Sequence, residues 1–387
     1  MALTVSTLSA LLVHPVQAKE GDTFRPFISY ARFYDSNLLR LDKGEPTPEA
    51  GDPRSDQYSV LSAGLNVDWK PGRQRVLATA AKSLVRFSHY SRFDNDPSDY
   101  QLKWNWQLGN HWSGQIGATQ SEELSSFENL VDPVKNRITR DNRFASAEWQ
   151  FHPRWHVGVG AAAFESNNNA LVRTPLDHEN TSVAATLGYT TPKRSKLRGQ
   201  LRKVEGEYPN DPVRSYTQTE FNLLGDWDLS GKLIARTQIG YVQRKNDVLT
   251  ERDFSGVTGR LSADYLASGK TKLTAAIYRE IANAYEDDAS YLLNTGGSLG
   301  AEWAVSSKLT LRTNAGFENR VFEGDVGTLS GFPKRDEDTL AGSVSLRYVP
   351  APMATIDLGV QAGRRDSNRN NFSYSFHAVF LSVRLDF

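Results

Sequence analysis

The feature that most constrains this chain is a spacing. Trp69, Trp106, Trp149, Tyr189, Trp227, Tyr265, Trp303, Tyr348 and Phe387 each close an alternating segment, at separations of 37, 43, 40, 38, 38, 38, 45 and 39 residues. All but the last lead into turn-forming residues, such as Lys70-Pro71-Gly72, Gly109-Asn110, His152-Pro153-Arg154 and Leu229-Ser230-Gly231-Lys232. Gly, Pro, Asn and Ser favour turns because they supply unusual backbone angles or local hydrogen bonds. A second alternating segment follows each turn, and then a longer polar loop. The repeating unit is therefore a hairpin, and a repeat of this kind dictates the fold.

Within the segments the period is two. Tyr100, Leu102, Trp104, Trp106 and Leu108 alternate with Gln101, Lys103, Asn105 and Gln107, and Leu309, Leu311, Thr313, Ala315 and Phe317 alternate with Thr310, Arg312, Asn314, Gly316 and Glu318. Successive strand side chains point to opposite faces, so each segment carries one apolar and one polar face. The pattern predicts strands at 25–34, 57–69, 75–87, 98–108, 111–120, 140–151, 155–165, 179–190, 196–205, 215–227, 232–245, 254–265, 270–281, 291–303, 308–321, 338–348, 354–364 and 372–387. The loops 35–56, 121–139, 166–178 and 321–337 are the longest and are expected to face outside.

Two classes of β protein fit such a repeat: a soluble propeller and a transmembrane barrel. A propeller blade needs four short strands and four turns per repeat, whereas here the turn signals occur twice. Each strand is long enough for a tilted membrane crossing, which takes about 9–11 residues. Mean hydropathy is −0.51 and no stretch of residues 19–387 approaches the length of a membrane helix, but alternation hides the apolar face of a barrel. The aromatic residues that end the strands would form a ring at one membrane interface, with Phe87, Tyr241 and Phe317 in the opposite ring. Flipping strand 98–108 would put Lys103 in lipid, at about 2–4 kcal/mol near the midplane, and turn Trp104 and Trp106 to water.

Other classes drop out on charge and chemistry. Lys plus Arg and Asp plus Glu each number 45, so there is none of the basic surplus that a nucleic-acid partner demands. There is no cysteine, hence no disulfide and no thiolate site, which suits an oxidising compartment. Residues 1–18 are expected to be a signal peptide, from the apolar run Met1–Val13, the break at His14-Pro15 and the small residues before Lys19. Residues 19–387 are then a single barrel domain. His89, His111, His152, His156, His178 and His377 are scattered, with neither metal-ligand spacing nor a nucleophile elbow. No catalytic residue, metal ligand or cofactor is assigned.

Function is expected in the lumen, since barrels of 16–18 strands can enclose a water-filled channel. The register points Lys82, Arg86, Lys103, Arg198, Gln200, Arg202, Arg236, Gln238, Arg244, Arg260, Arg312, Asn314, Arg347 and Arg384 inward. It also points Glu148, Glu220, Asp226, Asp264, Glu280, Glu302, Glu318 and Asp357 there. These charges either pair across the lumen or meet solute, because guanidinium and amide groups bond well to sugar hydroxyls and carboxylates. The residues expected to contact solute are Arg198, Gln200, Arg202, Arg236, Gln238, Arg244, Arg260 and Arg312, with Arg198, Arg202 and Arg236 as the densest basic patch.

The segment Tyr34-Asp35-Ser36-Asn37-Leu38-Leu39-Arg40-Leu41, the hairpin layout and the terminal strand Val379–Phe387 together resemble the EpsL-type outer-membrane proteins of exopolysaccharide operons, within the wider group of β-barrel porins. The last strand, with Leu385 and Phe387 on its apolar face, resembles the signal that the barrel-assembly machinery reads. The resemblance implies a monomeric 18-stranded barrel in outer-membrane lipid of a Gram-negative bacterium. It also implies exopolysaccharide as the cargo and a periplasmic polysaccharide-export complex as a partner. A general diffusion porin for small solutes, a barrel enzyme acting on lipid or polymer, and a plugged structural barrel stay open as alternatives.

Overall fold

The computed structural model describes residues 23–49, 51–129, 134–284, 289–324 and 334–387; the expected signal peptide lies outside them. The alternating segments form eighteen strands in one closed antiparallel sheet. In chain order they are β1 (Phe24–Asp35), β2 (Asp56–Trp69), β3 (Arg75–Phe87), β4 (Ser98–Leu108), β5 (Trp112–Leu124), β6 (Arg137–His152), β7 (Trp155–Asn168), β8 (His178–Thr190) and β9 (Lys196–Glu207). They continue with β10 (Tyr216–Ser230), β11 (Leu233–Asn246), β12 (Phe254–Leu266), β13 (Thr271–Asn283), β14 (Tyr291–Ala304), β15 (Leu309–Glu323), β16 (Asp336–Ala351), β17 (Ala354–Ser367) and β18 (Tyr374–Asp386). Each strand pairs with its sequence neighbours, and β1 closes the barrel on β18 from Phe27↔Asp386 to Asp35↔Ala378. Closure gives every strand two partners, which a backbone surrounded by lipid requires.

One face of the sheet is apolar and exposed. Leu223, Ile239, Leu261, Ile277 and Leu299 lie at mid-strand there, each between 45% and 68% exposed. The ring expected at the short-turn end is present. Trp69, Trp149, Tyr265, Trp303 and Tyr348 are exposed on that face, and Trp112 stacks on Trp149 with centroids 5.8 Å apart. Tyr241 and Phe317 are exposed on the same face toward the other end, whereas Phe87 turns inward and packs against Tyr58 and Phe93. Its parity in β3 is opposite to that of the exposed Leu84, so a lipid-facing Phe87 would require a slipped register.

The same parity corrects two of the expected lumen residues. Lys82 and Arg86 share the outward face with Leu84, because β3 pairs Leu61↔Leu84 and Ser59↔Arg86 with β2. They avoid an unpaired charge by bonding the loop beyond the rim. Lys82 donates to the Asp96 carbonyl and to Ser98 Oγ, and Arg86 pairs with Asp96 at 2.5 Å. The Arg86 guanidinium holds the Asp96 carboxyl below the usual carboxylate range.

Several strands run further at the long-loop end than the alternation indicates; β5 reaches Leu124 and β6 begins at Arg137. Above the apolar band both faces are polar, so the period-two signal fades while backbone pairing continues. The loops there do not all face outward. Ser36–Leu41 folds into the barrel, where Leu38, Leu39 and Leu41 join Phe33, Phe93 and Phe127 in a buried cluster. Burying such a side chain contributes about 1.5–3 kcal/mol.

Polar bonds fix this inward segment. Arg40 and Asp35, 7% and 2% exposed, form an ion pair at 2.9 Å, and the Arg40 guanidinium lies 3.9 Å from the Phe376 ring centroid of β18. Burial opposes the charge on Arg40, and the Asp35 carboxylate overcomes that, so its pKa lies above the usual arginine value. Asn37 donates to the carbonyls of Leu41 and Ser375, and the Ser36 amide donates to the His377 carbonyl. The segment thus ties the first strand to the last just above the seam. Arg40→Ala leaves a buried carboxylate without its cation, a loss of about 3–5 kcal/mol. A lowered urea midpoint of the refolded barrel checks this, and an unchanged midpoint would contradict it.

Candidate functional site

The lumen is shaped by the second segment that leaves the wall. β13 pairs with β12 only as far as Gly259↔Arg279, while β13 and β14 stay paired up to Asn283↔Tyr291. The freed tip leans inward across β12 and β11. Tyr291 meets Phe254 with centroids 5.5 Å apart, and Arg214 donates to the Ala289 carbonyl at 2.6 Å. Asn283 Oδ1 accepts from Arg244 Nη1 at 3.1 Å and lies 3.2 Å from the Tyr216 hydroxyl. Between this tip and the wall of β6–β12 lies a cavity of about 450 Å3, lined by Asn142, Asn180, Ser182, Arg202, Tyr216, Gln218, Glu220, Asn222, Gln238, Arg244 and Glu280 among others.

All eight expected solute-contacting residues share the inward face, but the structure divides them into tiers. Arg198, Arg236 and Arg312 sit toward the short turns, and each meets an acid on a neighbouring strand: Asp226 at 2.6 Å, Asp264 at 3.0 Å and Glu302 at 2.8 Å. The patch of Arg198, Arg202 and Arg236 is therefore neutralised residue by residue. At mid-height Arg202 reaches Glu220 at 3.3 Å, and Arg260 grips Glu280 through two bonds of 2.8 and 3.0 Å. Arg347 likewise pairs with Asp357 at 2.8 Å. Each pair joins adjacent strands, where cross-strand neighbours of opposite charge attract.

Arg244 departs from the pattern. It is 6% exposed, and no carboxylate among the described residues comes within ion-pair distance. Its Nε donates to Gln218 Oε1 at 2.7 Å, and its guanidinium carbon lies 3.8 Å from the Tyr216 ring centroid. Gln218 passes the polar chain on, donating to Glu220 at 2.6 Å, which also accepts from Asn222 at 3.1 Å.

Two glycines make room for this arrangement. A Cβ on Gly206 would stand 2.4 Å from the Tyr216 ring, and one on Gly240 would stand 2.2 Å from Asn222 Oδ1. A side chain at either position would push these groups into the lumen. Gln200 lies opposite Asn222 on β9, and Gln238 faces the cavity from β11.

Tyr216, Gln218, Asn222 and Asn283 were not singled out by sequence. Gln218 and Asn222 carry the right parity for the inner face, but nothing local predicts that the β13–β14 tip would bring Asn283 to them.

A closed eighteen-stranded barrel, apolar outside and lined with paired charges and amides inside, defines a porin-like outer-membrane channel. The family model described as "Putative beta-barrel porin 2" matches residues 177–387, more than half of the chain, and the chain belongs to that family. No curated protein matches it.

Solved structures share the fold. The outer-membrane protein opdK of Pseudomonas aeruginosa is 10% identical with a TM-score of 0.52, over 94% of this chain and 99% of that one. A BenF-like porin from Pseudomonas fluorescens Pf-5 is 10% identical with a TM-score of 0.52, over 95% and 99% of the two chains. OpdQ of Pseudomonas aeruginosa is 10% identical with a TM-score of 0.51, over 94% and 97%.

Because most lumen charge is paired, deleting one acid should show directly in ion selectivity. Glu280→Gln leaves Arg260 uncompensated and is expected to shift the reversal potential in a KCl gradient toward anion preference. An unshifted potential would mean that ions do not pass this wall.

Proposed function

We propose that the chain is a passive diffusion channel for small polar solutes. The observation that carries this is the division of the lumen. The side near the seam is filled by Ser36–Leu41 and its apolar cluster, while the wall from β6 to β12 is left polar, lined by amides and paired charges. Residues such as Gln200, Arg202, Gln238 and Arg260 offer a solute many weak hydrogen bonds without a deep binding well, which is what conduction requires. The solved structures of similar fold include porins, and this supports the same reading.

The exopolysaccharide conduit implied by the resemblance to EpsL-type proteins fits this interior less well. A polymer chain needs clearance along the whole lumen, and two segments anchored by buried polar bonds occupy part of it. Leu385 and Phe387 lie on the apolar outer face at the short-turn end, with the Phe387 amide bonded to the Pro26 carbonyl. That position suits the proposed recognition of the last strand during membrane insertion.

Swelling of proteoliposomes tests the solute reading. Monosaccharides are expected to enter much faster than tetrasaccharides, and a large dextran not at all. Equal entry of tetrasaccharide and monosaccharide, or passage of dextran, would overturn the size limit and restore the polymer.

A further inference from the structure

The cavity beneath the β13–β14 tip holds groups that the pairing of the rest of the lumen leaves unused. Among the described residues Arg202 pairs with Glu220 and Glu280 pairs with Arg260, which leaves Arg244 as the lining cation without an ion-pair partner. The Nη2 of Arg244 has no hydrogen-bond partner among the described residues, although the side chain is more than nine-tenths buried. A buried cation without a counter-charge is unfavourable unless an anion completes it. Tyr216 under the guanidinium, Gln218 at Nε and Asn283 at Nη1 hold it in one orientation, which leaves Nη2 to donate to a carboxylate oxygen.

The remaining chemistry of the cavity is amide. Gln238 and Asn142 line it with no hydrogen-bond partner among the described residues, and Ser182 and Thr258 add buried hydroxyls. Such groups match a ligand with several hydroxyls, each able to donate and accept. The volume of about 450 Å3 lies in the usual range of small-molecule sites, roughly 300–1,000 Å3.

From these observations we infer that the cavity is a binding subsite for a polyhydroxylated monocarboxylate, such as a hexuronate. The carboxylate sits on Arg244 and the hydroxyls on Gln238 and Asn142. One uncompensated cation fits one negative charge, and the paired acids Glu220 and Glu280 disfavour a dianion. The inference rests on the small-solute reading, whose channel this subsite would serve.

Calorimetric titration of the folded barrel in detergent with D-galacturonate, D-galactose and acetate tests it, beside bilayer conductance of the same preparation. Galacturonate is expected to bind roughly tenfold or more tightly than either control, since galactose lacks the carboxylate and acetate lacks the hydroxyls. Arg244→Gln is expected to remove that advantage over galactose. Gln238→Leu, which leaves Arg244 and its neighbours in place, is expected to weaken galacturonate and not acetate, and it serves if Arg244→Gln fails to fold.

Equal binding of galactose and galacturonate, or of acetate and galacturonate, overturns the inference, as does an unchanged affinity in either folded variant. A barrel that conducts but does not discriminate sinks the subsite and leaves the channel. One that binds galacturonate but passes no solute sinks the channel and leaves the subsite.

Discussion

Lipid offers the backbone no hydrogen-bond partner, and the pairing of β18 with β1 is the contact on which the rest of this structure depends. Without it the first and last strands would each expose an unpaired edge in hydrocarbon, at several kcal/mol for every unsatisfied group. With it, the period-two pattern of the whole chain becomes a single decision about which face is outside. Leu223 and Ile239 go to lipid, and Arg202 and Gln238 go to the lumen. The inward turn Ser36–Leu41 strengthens that contact from above by binding the Ser375 and His377 carbonyls of β18.

Closure then sets an electrostatic problem inside the barrel. Charges must line the lumen to keep it wet, yet each would be isolated on a wall of low polarizability. The chain solves this locally by placing an acid opposite nearly every inward arginine, as at Arg198–Asp226, Arg236–Asp264 and Arg347–Asp357. Local pairing fits the equal counts of acidic and basic residues, and it makes the exception at Arg244 stand out.

How much of this was legible beforehand follows from where the information lies. Strand number, order, face and the aromatic ring at Trp69, Trp149 and Trp303 are written in local alternation, and all eighteen strands overlap their predicted spans. Glu220, Asp226, Asp264, Glu280, Glu302 and Asp357, predicted on the inner face, proved to be cross-strand partners of inner arginines, because such neighbours are fixed once register is fixed. Glu148 instead meets His156, and Glu318 pairs with Arg320 of its own strand. Lys82, Arg86 and Phe87 were misplaced because β3 carries alanines and serine among its larger residues, which blurs its parity. The inward turn at Leu38–Leu41 and the inward tip at Asn283 depend on contacts with distant strands, to which no window of sequence refers. Tyr216 and Asn222 therefore had no local signal to separate them from any other polar strand residue.

The central claim is a hydrated passage along the β6–β12 wall with lipid directly behind it. The chain has no cysteine, so single-cysteine variants report position without background. Gln238→Cys and Ile239→Cys, adjacent on β11, should be compared in proteoliposomes with a small membrane-impermeant thiol reagent. The account predicts prompt modification at position 238 and none at 239. Protection at 238, or equal reaction at both positions, would contradict it.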